Sequence, residues 1–139
     1  MKAYVQVYTG EGKGKTTAAI GLAIRAIGAG KKVLFLQFMK SKVYSEHNIL
    51  PTLKNITLET VGKPFFIIKE GYNMALFFEL IDWKKTEALL EARNPETEVV
   101  FTGRGAPQEL LDAADLVTEM KEVKHYYMQG VMARKGIEN

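Results

Sequence analysis

Cysteine is absent from the 139 residues. This absence excludes disulfide bonds, thiolate metal sites and a cysteine nucleophile. No apolar run approaches the roughly 20 residues that a membrane-spanning helix needs, and the N-terminus leads directly into a strand pattern rather than a signal peptide. We therefore expect a cytoplasmic protein without a membrane partner.

An excess of one charge is also lacking, since the formal net charge is only +3. Such a mildly basic balance suits an anionic ligand but is too weak to indicate nucleic acid as the main partner. The two histidines, His47 and His125, lie far apart in the sequence and are a weak metal signal. Length and an ordinary hydrophobic content of 47% predict one globular domain over residues 1–139.

The most informative segment is the glycine-rich stretch of residues 9–17, TGEGKGKTT. Alternating apolar residues at 3–8 predict a strand before it, and residues from about 15 to 28 predict a helix after it. Strand, glycine-rich turn, Gly-Lys-Thr and helix form the context that a phosphate-binding P-loop requires. One departure is that Thr9 stands where the pattern has its first glycine. The alternative, a glycine-rich turn without a ligand, is disfavoured because this whole context is present.

Each part of the P-loop has a physical role. Glycines allow backbone N–H groups to converge on phosphate oxygens without Cβ clashes. The helix that begins near Lys15 adds the partial positive charge of its N-terminus. Lys15 supplies a mobile ammonium group for the phosphates, and Thr16 supplies a hydroxyl for a bound Mg²⁺.

The rest of the chain alternates between strand and helix patterns. Such alternation favours an α/β fold with a mostly parallel sheet covered by helices on both faces. The predicted strands are residues 33–38, 56–61, 98–102 and 116–120; the predicted helices are residues 74–92, with a possible break near Asp82, and residues 107–114; a polar loop over 39–48 opens into a short helix.

Ligands of parallel sheets bind at the carboxyl ends of the strands. That rule places the P-loop, residues 37–42 and residues 102–108 at one edge of the sheet. Arg104 is a forked donor suited to phosphate, and a salt bridge that caps the sheet edge is an equally good interpretation. Lys40 and Lys42 are better explained as a solvated basic loop.

An ordered set of segments resembles the ATP:corrinoid adenosyltransferases of the cobalamin-salvage type. The set reaches from the P-loop to the C-terminus, and its most specific member follows the predicted strand at 98–102. The segments are residues 8–19 (YTGEGKGKTTAA), 33–40 (VLFLQFMK), 98–110 (EVVFTGRGAPQEL), 113–120 (AADLVTEM), 123–125 (VKH) and 135–138 (KGIE).

The resemblance implies a RecA-like P-loop fold and transfer of the 5′-deoxyadenosyl group of ATP to the Co(I) of a corrinoid. The triphosphate leaves, and the reaction serves adenosylcobalamin synthesis or salvage. Because the nucleophile is the metal, no general base is needed. The implied ligands are ATP with Mg²⁺ or Mn²⁺ and the corrinoid as co-substrate; the implied partners are a second subunit in a homodimer and a transient flavoprotein reductant.

The resemblance also assigns site residues. Lys15 and Thr16 are expected to be catalytic, with Thr16 on the metal ion. The expected ATP-binding residues are Thr9, Gly10, Gly12, Lys13, Gly14, Lys15, Thr16, Thr17 and Arg104.

On the corrinoid side, Phe65 and Phe66 are expected to lie against the corrinoid, and core packing is the alternative. Ile67 stands where some members have a tryptophan, which puts that contact in doubt. His125 belongs to a Lys-His pair of the family and is expected to be structural or at a subunit contact.

One part of the family pattern is missing near residues 71/72. A helix and an acidic strand that carries the Mg²⁺-side carboxylate should precede residues 72–76, YNMAL. Either the chain is shortened internally or the sequence omits a stretch, and omission is favoured because loss of a central strand would leave its neighbours unpaired. Glu79 and Asp82 are the nearest substitute acids, but their predicted helical setting makes them poor candidates.

Two other functions share the P-loop. A phosphotransferase would form ADP, whereas an ATP-binding module would bind ATP without turnover. Release of triphosphate coupled to a cobalt–carbon bond distinguishes adenosyl transfer from both.

Overall fold

The computed structural model describes residues 2–37, 44–60, 74–78 and 83–138. Within these ranges the chain alternates strands and helices, as the sequence predicts. The strands are β1 (Val5–Thr9), β2 (Val33–Gln37), β3 (Ile56–Thr60), β4 (Met74–Phe78), β5 (Glu98–Thr102) and β6 (Leu116–Glu119); the helices are α1 (Lys15–Gly28), α2 (Glu46–Ile49), α3 (Trp83–Ala92) and α4 (Gln108–Ala113), with 3-10 turns at Leu50–Thr52 and Tyr126–Gln129.

The strands form one six-stranded sheet in the order β3-β2-β4-β5-β1-β6. Every neighbouring pair is parallel. The expected α/β fold with a parallel sheet is therefore confirmed, and the carboxyl ends of all six strands lie at one edge. Among the described residues, no helix is long and apolar enough to cross a membrane.

Helices cover both faces of the sheet, as a parallel sheet requires. On one face, α1 packs its buried alanines against Val33, Phe35 and Val100. On the other face, Leu89 of α3 and Leu110 of α4 pack against a second set of strand residues, such as Phe101. The two apolar clusters together form the core.

Helix α1 contacts the sheet through small side chains. Ala19, Ala23 and Ala26 are buried, whereas Ile24 is 44% exposed. The helix therefore lies close to the sheet, and its N-terminus is held at the carboxyl edge directly after β1.

The prediction of a helix over 74–92 is wrong for its first part. Residues 74–78 form β4, which lies between β2 and β5, with Leu76 opposite Phe35 and Val100. A short apolar run such as MALFF fits a strand inside a parallel sheet as well as a helix, and periodicity does not separate the two. Pairing with a strand on either side decides for the strand. The helix that follows begins at Trp83, after the break expected near Asp82.

The position of β4 bears on the argument for an omitted stretch, and the omission itself stays a prediction. That expectation rests on a central strand whose loss would leave its neighbours unpaired. In the structure β2 and β5 both pair with β4. The central place in the sheet is filled by the residues that the chain has.

Carboxylates fix the amino end of β1. The Val5 N–H donates to Oδ2 of Asp115 at 2.8 Å, and the Asp115 N–H donates to the Val5 carbonyl at 2.8 Å. The Tyr4 N–H and the Gln6 side chain donate to the two carboxylate oxygens of Glu98 at 2.8 and 2.6 Å. These contacts set the position of β1, and therefore of the loop that follows it.

Candidate phosphate-binding site

The P-loop connects β1 to α1 and requires glycine at two positions with positive φ. Gly10 has φ 102° and Gly14 has φ 111°. Gly14 is the N-cap of α1, so the helix begins at Lys15, as the sequence predicts. The N-terminus of a 14-residue helix thus faces the loop and provides N–H groups for an anion.

Met120, directly after β6, holds the P-loop through two backbone hydrogen bonds. The Gly12 N–H donates to the Met120 carbonyl at 2.7 Å, and the Met120 N–H donates to the Thr9 carbonyl at 2.8 Å. A Cβ at position 12 would lie only 2.7 Å from the Met120 oxygen. Glycine at position 12 is therefore a packing requirement, and Met120 is a supporting residue that no local sequence pattern identifies.

Lys15 is folded onto its own loop. Its Nζ donates to the carbonyls of Gly10 at 2.7 Å and Gly12 at 2.8 Å. Partial burial lowers the pKa of Lys15 below its usual range, and the nearby Arg104 charge lowers it further, while Glu11 acts in the opposite direction. A phosphate group at this position would offset the cost of desolvating the ammonium group and the repulsion between the two cations.

The loop after β5 lies beside the P-loop, as the topology predicts. The Gly103 N–H donates to the Tyr8 carbonyl at 3.1 Å, and the Ala106 N–H donates to Thr9 Oγ1 at 3.3 Å. Thr9 is buried at the base of the loop, where its hydroxyl joins the two loops. Thr9 therefore contributes a structural contact here, and its contact with ATP stays a prediction.

Arg104 lies at the outer side of the site. Its Nε is 3.9 Å from Glu11 Oε2, and both side chains are more than two-thirds exposed. Exposed ion pairs of this kind contribute about 0–1 kcal/mol. The salt-bridge interpretation of Arg104 is thus realised with a P-loop residue, and the pair is weak enough for a phosphate to replace Glu11.

Lys13 of the P-loop lies near the C-terminal segment. Its Nζ lies 3.7 Å from Oε1 of Glu138. Glu138 is a neighbour of the site that the sequence alone does not assign, although its segment KGIE is part of the resemblance. Contacts over such a sequence distance leave no periodic pattern, so only the folded chain reveals them.

Thr16 and Thr17 form the first turn of α1 after Lys15. The Thr16 side chain is half-buried and Thr17 is exposed. In the described part of the chain, no group of three or more histidine, aspartate or glutamate side chains is arranged to hold a metal ion. Of the described residues, Thr16 is the one that the P-loop pattern assigns to a metal ion.

The histidines have local roles. His47 Nδ1 accepts the Tyr44 N–H at 2.8 Å, and His125 Nδ1 accepts the Tyr127 N–H at 3.0 Å at the start of a 3-10 turn. The structural role expected for His125 agrees with this cap. The remaining residues considered in the sequence lie outside the described residues: Phe65, Phe66, Ile67, Lys40, Lys42, Glu79 and Asp82.

Comparison with known proteins identifies relatives of the whole chain. The family model of the ATP:corrinoid adenosyltransferases BtuR/CobO/CobP matches residues 1–71 and 66–139. The corrinoid adenosyltransferase of Escherichia coli K12 is 32% identical over 170 residues, covering 95% of this chain and 83% of the relative. CobA of Salmonella typhimurium is 31% identical over 163 residues with the same coverage, and the Pseudomonas aeruginosa enzyme is 29% identical, covering 95% and 81%.

The alignment with the E. coli relative is longer than the matched part of this chain. Since 95% of 139 residues is about 132, the 170 aligned positions include about 38 at which this chain has no residue. The two segments matched by the family model meet at residues 66–71, which is where the sequence departs from the family pattern. With its P-loop in place and a match at both ends, the chain belongs to the ATP:corrinoid adenosyltransferase family.

Proposed function

We propose that this protein transfers the 5′-deoxyadenosyl group of ATP to the Co(I) centre of a corrinoid, in adenosylcobalamin synthesis or salvage. The observation that carries the proposal is the P-loop at the N-terminus of α1, with Lys15 and Arg104 beside it, in a chain of this family. The cobalt electron pair forms a bond to C5′ of the ribose. The C5′–O bond breaks, and its electron pair leaves with the triphosphate.

The task of the P-loop is to stabilise charge on the departing triphosphate. Backbone N–H groups of the loop and of the first turn of α1 are already oriented, so they need little rearrangement. Lys15 exchanges the carbonyls of Gly10 and Gly12 for phosphate oxygens, and Arg104 exchanges Glu11 for the same anion. We assign the phosphate contacts to Gly10, Lys13, Gly14, Lys15, Thr16, Thr17 and Arg104. Thr9 and Gly12 belong to the same ATP site and support the base of the loop, where the Gly12 N–H is bonded to Met120.

We propose that a divalent cation binds here together with the nucleotide. Thr16 would hold Mg²⁺ or Mn²⁺ through its hydroxyl, and phosphate oxygens would provide the other ligands. Bound there, the ion neutralises part of the triphosphate charge. Thr16 and Lys15 are therefore the residues to which we assign the catalytic role.

On the corrinoid side we propose Phe65 and Phe66 as contacts. The family resemblance supports this assignment, together with a cytoplasmic homodimer and a flavoprotein that delivers the electron. Proximity is the second requirement of the reaction, because C5′ must be held in line with cobalt. An aromatic surface against the corrinoid meets this requirement without any acid or base.

An anaerobic spectrum tests the function directly. Chemically reduced cob(I)alamin is mixed with the protein, Mg²⁺ and ATP, and we expect a photolabile adenosylcobalamin spectrum and one triphosphate released per product. ATP binding by calorimetry without a spectral change would instead indicate an ATP-binding module. Formation of ADP would indicate a phosphotransferase.

A further inference from the structure

The C-terminal segment ends in a cluster of three side chains, Tyr126, Arg134 and Glu138, which we call the C-terminal clamp. The Glu138 side chain is only 13% exposed. Arg134 donates to it from the backbone N–H at 2.7 Å, from Nη2 at 2.9 Å and from Nε at 3.3 Å. The Tyr126 hydroxyl also donates to Glu138 Oε1.

These donors hold the Glu138 carboxylate in one place. Charge-assisted hydrogen bonds to both oxygens restrict the side chain more than a single exposed ion pair does. Arg134 is itself fixed, because its guanidinium lies 5.2 Å from the centre of the Tyr126 ring. The clamp is therefore a rigid feature of a segment whose other side chains are mostly exposed.

The clamp contacts the P-loop at Lys13. Glu138 Oε1 lies 3.7 Å from Lys13 Nζ, and the Lys13 side chain is 44% exposed. A pair with such geometry contributes little to stability. It does restrict the rotamers of a long, flexible side chain that belongs to the P-loop.

We propose that Glu138 is a positioning residue for Lys13, so that the C-terminal segment is part of the nucleotide site. Arg134 already neutralises the Glu138 charge, which limits its repulsion of a triphosphate. What Glu138 provides is a partner that restricts the Lys13 side chain before ATP binds, which lowers the cost of ordering Lys13 in the complex. This inference rests on the proposed binding of ATP by the P-loop.

The test compares Glu138→Gln with wild-type protein by ATP calorimetry and by adenosylation kinetics. We expect ATP binding to weaken about two- to fivefold, the range of a partly exposed ion pair. The KM for ATP should rise by the same factor, while kcat and the KM for the corrinoid stay unchanged. Glu122→Gln, an exposed carboxylate of the same segment, is the matched control and should bind ATP like the wild type.

A double-mutant cycle with Lys13→Gln shows whether Glu138 acts through Lys13. The inference requires that Glu138→Gln has no further effect on ATP binding once Lys13 is replaced. An equal effect of Glu138→Gln on ATP binding with and without Lys13→Gln would overturn the inference. So would a Glu138→Gln protein that binds ATP more tightly than the wild type, or with the same affinity. If wild-type protein does not bind ATP, the proposed function itself fails.

Discussion

Gly12 shows how one residue controls the shape of the P-loop. Its N–H bonds the Met120 carbonyl, and a methyl group at this position would lie 2.7 Å from that oxygen. We expect Gly12→Ala to displace the loop, to lower the free energy of unfolding by about 1–3 kcal/mol and to abolish ATP binding. Urea denaturation and ATP calorimetry measure the two effects.

Gly21→Ala is the matched control for that substitution. Gly21 is an exposed residue inside α1, and a methyl group added there would meet no described atom within 4 Å beyond the backbone of its own helix. Alanine at this position should raise the free energy of unfolding by about 0.5–1 kcal/mol because it favours the helix. The supporting role of Met120 would be refuted by a Gly12→Ala protein as stable as the wild type.

The lowered pKa of Lys15 predicts that ATP binding depends on pH. Its pKa is lowered in the free protein, first by burial and then by Arg104, whereas a bound triphosphate favours the charged ammonium. ATP affinity is therefore full below the lowered pKa of the free site and falls as the pH rises through it. In alkaline buffer, ATP binding should take up protons.

Calorimetry in two buffers of different ionisation enthalpy measures this uptake. Lys15→Arg is the control, because a guanidinium group does not lose its proton in this range. In that variant the uptake assigned to Lys15 should disappear. Alkaline ATP binding by the wild type without any proton uptake would contradict the assignment.

For single residues, the sequence predicts the roles that depend on local spacing. The glycines, Lys15 and Thr16 follow a fixed local spacing, and Lys15 reaches the carbonyls of Gly10 and Gly12 within the same loop. Met120 and Glu138 reach the P-loop from far along the chain, and no residue type marks them in advance. Thr9 has a buried hydroxyl that bonds Ala106, a role which its place in the pattern does not indicate.

Among the elements, those with strong local patterns are predicted closely. Helix α1 and strand β5 have the predicted bounds, Lys15–Gly28 and Glu98–Thr102. The sequence predicts a helix for the residues of β4, because the run MALFF is compatible with a helix and with a strand. Only the position of this segment between β2 and β5 selects the strand. Burial inside a sheet is a property of the whole fold, so a window of five residues does not contain it.

The connection from α4 to β6 gives a prediction at the element scale. Asp115 accepts the Val5 N–H and thereby joins the start of β1 to the segment before β6. Asp115→Ala leaves this partly buried donor without its acceptor, so we expect a loss of about 1–3 kcal/mol in the free energy of unfolding. Thermal or urea unfolding measures the loss.

Asp112→Ala is the control at the same end of α4. Asp112 is exposed, and the hydrogen bond described for it comes from the exposed side chain of Gln108. Its replacement should change stability by less than about 0.5 kcal/mol. Equal effects of the two substitutions would show that β1 does not depend on Asp115.

For the whole molecule, alternation of strands and helices is sufficient to predict a parallel sheet with two covered faces. The sequence also predicts a departure from the family near residues 71/72, and this stays a prediction. The sequence pattern does not show that β4 lies between β2 and β5 in the order of the described strands. Because β4 pairs on both sides, it holds the β2–β3 half of the sheet to the half that carries the P-loop.

Hydrogen exchange followed by mass spectrometry tests this arrangement across the chain. Amides of β4 should exchange as slowly as those of β5, because both strands pair with two neighbours. Strand β6 pairs only with β1, and residues 121–125 contain no strand or helix, so both should exchange faster. ATP should add protection at residues 9–17 and, through Glu138, at the C-terminal clamp. Exchange of residues 74–78 as rapid as that of 121–125 would show that β4 does not join the two halves of the sheet.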